Sequence, residues 1–211
     1  MKTDKKALIL DSAEQLMTQM TSEELTINLI ASNAGIGKGS IYYYFKSKEE
    51  IIGAVIERCY KKAIREYFSV INSHSASIEK FRALFECLIR KEFHNKQQNI
   101  MVSLHLRESL MLNYKMKLAA IEVVSPILTD ILRQGIDEGT MQSDTPLESA
   151  EIIVATITFL LDGSIFPYNR NKMKNKLKIL ANVLDTCLHT PTGSFDFLYK
   201  DLYNSLDKTR S

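Results

Sequence analysis

Between Ala7 and Met20 the apolar residues Leu8, Ile9, Ala13, Leu16, Met17 and Met20 recur at the period of one helix face, with Asp11, Glu14 and Gln15 between them. The same period returns along most of the chain. Ile27, Ile30, Ala31 and Ala34 predict a short helix behind Thr26, whose hydroxyl suits an N-cap. Gly35 offers the positive φ that ends a helix, Ile36 points to the core, and a second short helix is expected over 38–44 with Ile41 inward. Ala31 is small where these two helices must cross closely. Ser47 and Glu50 have capping-box spacing. The helix behind them is expected to reach about residue 70, with Ile51, Ile52, Val55, Ile56, Cys59, Tyr60, Ala63, Ile64, Tyr67 and Phe68 on its apolar side.

Further helices are expected over 78–93, 100–112 and 114–138, the last carrying Pro126 as a kink or near its start and stopped by Gly139. Pro146 opens the next. From Leu147 to about Phe166 it is apolar on most sides, which predicts burial on more than one face. Met173, Leu177, Leu180, Ala181, Leu184 and Leu188 stripe a helix over 172–189, and a tail helix over 195–206 carries Phe195, Leu198, Tyr199, Leu202 and Leu206. With 8 glycines and 4 prolines in 211 residues there are few natural breaks, so the fold class is all-α. The helices over 147–166 and 172–189 are joined by a short connection and carry more apolar surface than one antiparallel partner covers, which predicts a homodimer through them.

Bulk charge adds little, since 27 basic and 25 acidic side chains leave +2. Its distribution adds more: there is no carboxylate between Glu24 and Glu49, whereas Lys38, Lys46 and Lys48 lie there. A helix-turn-helix with an uncontested positive face is suited to nucleic acid phosphates. Lys38 and Ser40 are expected near bases, with Gly39 allowing close approach and Asn28 as a further base contact. Thr26, Tyr42, Tyr43, Tyr44 and Lys48 are expected to hold phosphates. Tyr42, Tyr43, Tyr44 and Phe45 should divide by face, some beneath the helix and some towards DNA.

Residues 5 to 58 or so, centred on GKGSIYYYFKSKEEII, resemble the TetR family of bacterial transcriptional repressors. The Thr cap, the Ile-Ala pair, the Gly turn, Lys-Gly-Ser, Tyr-x-Tyr-Phe and Lys-x-Lys-Glu-Glu occur in the family's order and spacing. The resemblance implies a three-helix DNA-binding domain at 1–47 and a helical regulatory, ligand-binding and dimerisation domain at 48–211. It also implies a palindromic double-stranded operator, a four-helix bundle between two copies, and release by a small effector. The family commonly has Ser where Gly37 stands, so a phosphate contact from that side chain does not carry over. The regulatory region, rich in Met and Phe, suits a small, largely apolar effector, with Phe85, Met101, His105 and Phe159 as candidate lining residues.

A helical enzyme is the competing class. His74, His94, His105 and His189 are scattered, no HExxH or glycine-rich phosphate loop occurs, and neither catalysis, metal nor cofactor is expected. A helical interaction protein with a merely structural helix-turn-helix leaves the missing carboxylates unexplained. Cys59, Cys87 and Cys187 lack paired spacing and read as buried, reduced thiols. The run Arg170 to Lys178 reads as a solvated face because Met173 and Leu177 interrupt it at helical spacing. The longest apolar run, 152–161, contains Thr156 and Thr158 and falls short of the ~20 residues a bilayer requires. With no leader segment expected either, the location expected is the cytoplasm.

Overall fold

A computed structural model describes residues 4–65, 69, 72–93, 110–161 and 169–201. Every regular element among them is an α-helix. The chain divides into two compact units, residues 1–61 with 95–119, and residues 62–94 with 120–211.

The first unit begins with α1 (Lys5–Met17), two residues earlier than the apolar period suggests, because Asp4 accepts from the amides of Lys6 at 3.0 Å and Ala7 at 3.3 Å. Next come α2 (Ile27–Asn33), α3 (Lys38–Tyr44) and α4 (Lys48–Arg65), of which residues 62–65 belong to the second unit. Ile9, Ala13, Leu25, Ile30, Ile41, Phe45, Ile51, Val55 and Ile56 are buried. A polar link crosses this core: the Ser12 hydroxyl donates to the Ile30 carbonyl at 3.0 Å and accepts from Asn33 Nδ2 at 3.0 Å. At the start of α4, Ser47 accepts from the Glu50 amide at 3.1 Å, as a capping box requires. The return contact differs from that motif, because Glu50 accepts from the Lys46 amide at 2.6 Å, one residue further out. The expected extension of α4 to residue 70, and the side chains of Ala63, Tyr67 and Phe68, lie outside the described residues.

In the second unit α5 (Ser77–Phe93) presents Phe81, Leu84 and Phe85 to the interior. The Phe81 ring stacks on Phe85 at 4.6 Å between centroids and meets Phe195 edge-on at 4.8 Å. Helix α6 (Leu110–Asp137), whose residues 110–119 belong to the first unit, passes through Pro126 without a break and claims residues 110–112, which the sequence assigns to the preceding element. Gly139 follows at φ 70°. A Cβ on Gly135 would stand 2.6 Å from the Met141 sulfur, so this glycine lets Met141 lie against the helix backbone. Then come α7 (Pro146–Leu160) and α8 (Arg170–Cys187), the latter capped by Asn169, which accepts from the Lys172 amide at 3.0 Å. Residues 162–168, including the expected end of α7, lie outside the described residues.

The helix expected over 195–206 begins later, as α9 (Phe197–Lys200), with Phe195 in the turn before it, and the positions 202–206, with Leu202 and Leu206, lie outside the described residues. That turn wraps around buried Asp185, which accepts from Thr190 Oγ1 at 3.0 Å, the Gly193 amide at 2.7 Å and the Phe195 amide at 3.3 Å. Within one chain α7 buries Ala150, Ile153, Val154 and Ile157 and leaves Ile152 67% exposed and Phe159 41%. On α8, Ile179 and Val183 are likewise exposed. Cys187 is exposed and Cys59 half-buried, so burial does not hold for these two thiols. The Cys87 side chain lies outside the described residues.

Candidate nucleic-acid interface

The reader is assembled by backbone hydrogen bonds at two helix ends. Thr26 Oγ1 accepts from the Leu29 amide at 3.2 Å and starts α2. Gly35, at φ 65°, reverses the chain, and the Ile36 amide returns to the Ala31 carbonyl at 3.0 Å. Gly37 caps α3 through its carbonyl alone, which accepts from the Ser40 amide at 2.8 Å. Buried Ile41 and Phe45 fix which way α3 faces.

That orientation turns Lys38, Gly39, Tyr42 and Tyr43 outward, with Ser40 and Tyr44 half-buried at their edge. Tyr43 is 83% exposed and meets the Tyr44 ring edge-on at 4.9 Å. The aromatic run therefore divides by face, Phe45 inward and Tyr42 and Tyr43 outward. A Cβ at Gly39 would meet nothing within 4 Å. Packing within the chain gives no reason for glycine there, although glycine inside a helix costs about 0.5–1 kcal/mol relative to alanine. Asn28 and Thr26 are exposed at the start of α2.

Lys48 is placed differently from its neighbours. Its ammonium donates to the Ser22 carbonyl at 2.8 Å, which ties the start of α4 to the loop between α1 and α2. Two N–H donors remain on that ammonium. Just beyond the basic segment, Glu49's own backbone amide holds its carboxyl below the ordinary value, with a smaller lowering from the Ser47 hydroxyl.

Of the four candidate effector residues, Met101 and His105 lie outside the described residues. Phe85 is fully buried in the aromatic stack of the second unit, and Phe159 is partly exposed on α7. A cavity of about 800 Å³ in that unit is lined by other residues, among them Ile78, Arg82, Ala83, Met141 and Pro191. The hydrogen-bonding residues Ser12, Asn33, Glu138 and Asp185 were not anticipated, because each acts across a distance in sequence that periodicity does not register.

The geometry of α2, Gly35 and α3 defines a helix-turn-helix protein. The family profile described as "Bacterial regulatory proteins, tetR family" matches residues 9–55, and "Tetracyclin repressor-like, C-terminal domain" matches residues 92–183. The chain belongs to the TetR family of transcriptional regulators. The Fatty acid metabolism regulator protein of Bacillus subtilis is 27% identical over 184 residues, 82% of this chain and 88% of that protein. The HTH-type transcriptional repressor KstR2 of Mycobacterium tuberculosis is 25% identical over 66% of this chain and 70% of its own length. The B. subtilis regulator YhgD is 39% identical, but the match spans 29% of this chain and only 32% of that protein. The fold is also that of RolR in its complex with resorcinol, at a TM-score of 0.70 and 16% identity, covering 93% of each chain. Among the described residues no helix is long and apolar enough to cross a membrane.

Proposed function

We propose that the chain is a homodimeric, ligand-responsive repressor, with DNA binding in residues 1–47 and regulation in 48–211, acting on a palindromic operator in the cytoplasm. The observation that carries this reading is the outward face of α3, where Lys38, Gly39, Tyr42 and Tyr43 are exposed together. Laid in a major groove, α3 brings Lys38 and Ser40 to base edges. Gly39 lets the backbone approach, and Asn28 adds a base contact from α2. Thr26, Tyr42, Tyr43, Tyr44 and the remaining donors of Lys48 hold phosphates.

Exposed Ile152 on α7, and Ile179 and Val183, four apart on α8, supply apolar surface that a second copy covers. A dimer spaces its recognition helices about 34 to 36 Å apart to reach successive major grooves. An effector that favours another spacing releases the operator by linkage. We assign that effector to a small, largely apolar class, bordered by Phe85, Met101, His105 and Phe159. Compounds with an acyl chain are the first to try, because the relative matched over most of its length is named as a regulator of fatty acid metabolism.

Selection of bound duplexes from a random pool tests the reading. A palindromic consensus with half-sites about one helical turn apart is the expected result. A pool that remains unenriched through successive rounds overturns it.

A further inference from the structure

Within the first unit, Arg58 lies about three turns into α4 and spreads its guanidinium over two carboxylates of α1. One terminal nitrogen is 2.7 Å from Asp11 Oδ1, and the other contacts Glu14 Oε2. Asp11 and Glu14 stand one turn apart on α1, so the fork is held at two points along that helix. Arg58 and Glu14 are 29% and 24% exposed, and Asp11 67%.

Apart from the hydrogen bond of Lys48 to the Ser22 carbonyl, which holds the first residue of α4 to the loop before α2, α4 is held in this unit by apolar side chains such as Ile51, Val55 and Ile56, packed in a core with Ile9 and Leu16. Apolar burial is non-directional, and ridge-into-groove packing confines a helix pair to a class of crossing angles, with a scatter of about 15–20°, rather than to one angle. A planar guanidinium shared between two carboxylates is more exacting, because its hydrogen bonds weaken steeply once they bend. Burial thus holds α4 near α1, and Arg58 sets the angle at which it is held. Helix α1 also carries Ser12, whose link to the Ile30 carbonyl fastens it to α2, so an angle set at α1 is passed to the helix-turn-helix.

We propose that Arg58 is a positioning residue: by locking α4 to α1 through Asp11 and Glu14 it determines which half-site spacing the repressor accepts. The inference rests on the dimeric-repressor reading above. A base pair inserted between half-sites moves them by about 3.4 Å and about 35° relative to each other. A reader held at one angle tolerates neither change well, whereas a loosened reader adapts.

The test is the affinity of wild type and of Arg58→Gln for the selected palindrome and for versions with one base pair added or removed at its centre. Wild type should lose about tenfold or more at either altered spacing, and Arg58→Gln about threefold or less, with near-wild-type affinity at the original spacing. The reciprocal variant Arg58→Glu with Glu14→Arg should restore the sharp profile. A residue that only stabilises the fold would lower affinity at every spacing by one factor and leave the profile unchanged, and that result overturns the proposal.

A second measurement needs no DNA: the spin–spin distance between labels on exposed Lys5 and Lys61, in a chain whose cysteines are replaced by serine. Arg58→Gln should broaden that distribution, and an equally narrow one overturns the proposal. Failure of wild type to bind any duplex would instead count against the repressor reading.

Discussion

The Lys48 ammonium rests 2.8 Å from the carbonyl oxygen of Ser22, so the same side chain that the charge pattern assigns to DNA also fastens α4 to the loop before α2. Both roles leave measurable traces. Lys48→Ala should lower operator affinity for all sequences alike and reduce the slope of log affinity against log salt by about 1. It should also lower the unfolding free energy by about 0.5–1.5 kcal/mol through the lost hydrogen bond. A stability loss with an unchanged salt slope would leave Lys48 as a structural anchor alone.

Gly39 separates folding from binding more cleanly. Since a Cβ there meets nothing within 4 Å, Gly39→Ala should raise stability by up to about 1 kcal/mol in a denaturant titration. Operator affinity should nonetheless fall, because the added methyl group stands where the DNA approaches. Its neighbour Tyr43, 83% exposed, should accept Phe with a stability change within about 0.5 kcal/mol while binding weakens for every sequence.

What could be read without coordinates follows from the range of each interaction. Thr26, Gly35, Ile41 and the limits of α3 depend on neighbours within a turn or two, and they are found where capping rules and helical period place them. The Ser12–Asn33 contact joins residues 21 apart, and Arg58 reaches carboxylates 47 and 44 positions away. No periodicity reports such pairs. The C-terminal turn was misread for a related reason: the stripe from Phe195 to Tyr199 fits a helix, but buried Asp185 takes the Gly193 and Phe195 amides and keeps the chain bent until Phe197.

In the second unit, Glu138 joins the end of α6 to the start of α5, accepting from the Ser77 hydroxyl at 2.7 Å and the Ser77 amide at 3.1 Å. Its carboxyl is held below the ordinary value, first by the Gln134 side chain and then by Ser77. A depressed folded pKa means that the unfolded chain takes up the proton first. The contribution is therefore complete above about pH 4.3, the ordinary glutamate range, and is lost as pH falls through the folded value. Thermal melts between pH 6 and pH 3 should show Glu138→Gln losing less stability over this interval than wild type. Parallel curves would remove Glu138 from the acid response.

The apolar face on α7 and α8 is tested at Ile179, 64% exposed, rather than at Leu184, which is 3% exposed and belongs to the chain's own core. Ile179→Lys should leave the monomer folded, shift sedimentation at micromolar concentration towards one chain, and reduce palindrome affinity with it. A variant that stays dimeric would place the interface elsewhere.

The central claim, that α3 reads bases, is tested most directly by measuring wild type and Lys38→Ala against the selected palindrome and every single-base-pair change in it. The account predicts that Lys38→Ala loses about 1–3 kcal/mol of discrimination at one pair of symmetry-related positions and keeps its preferences elsewhere. A Lys38→Ala protein with wild-type discrimination at every position would contradict it.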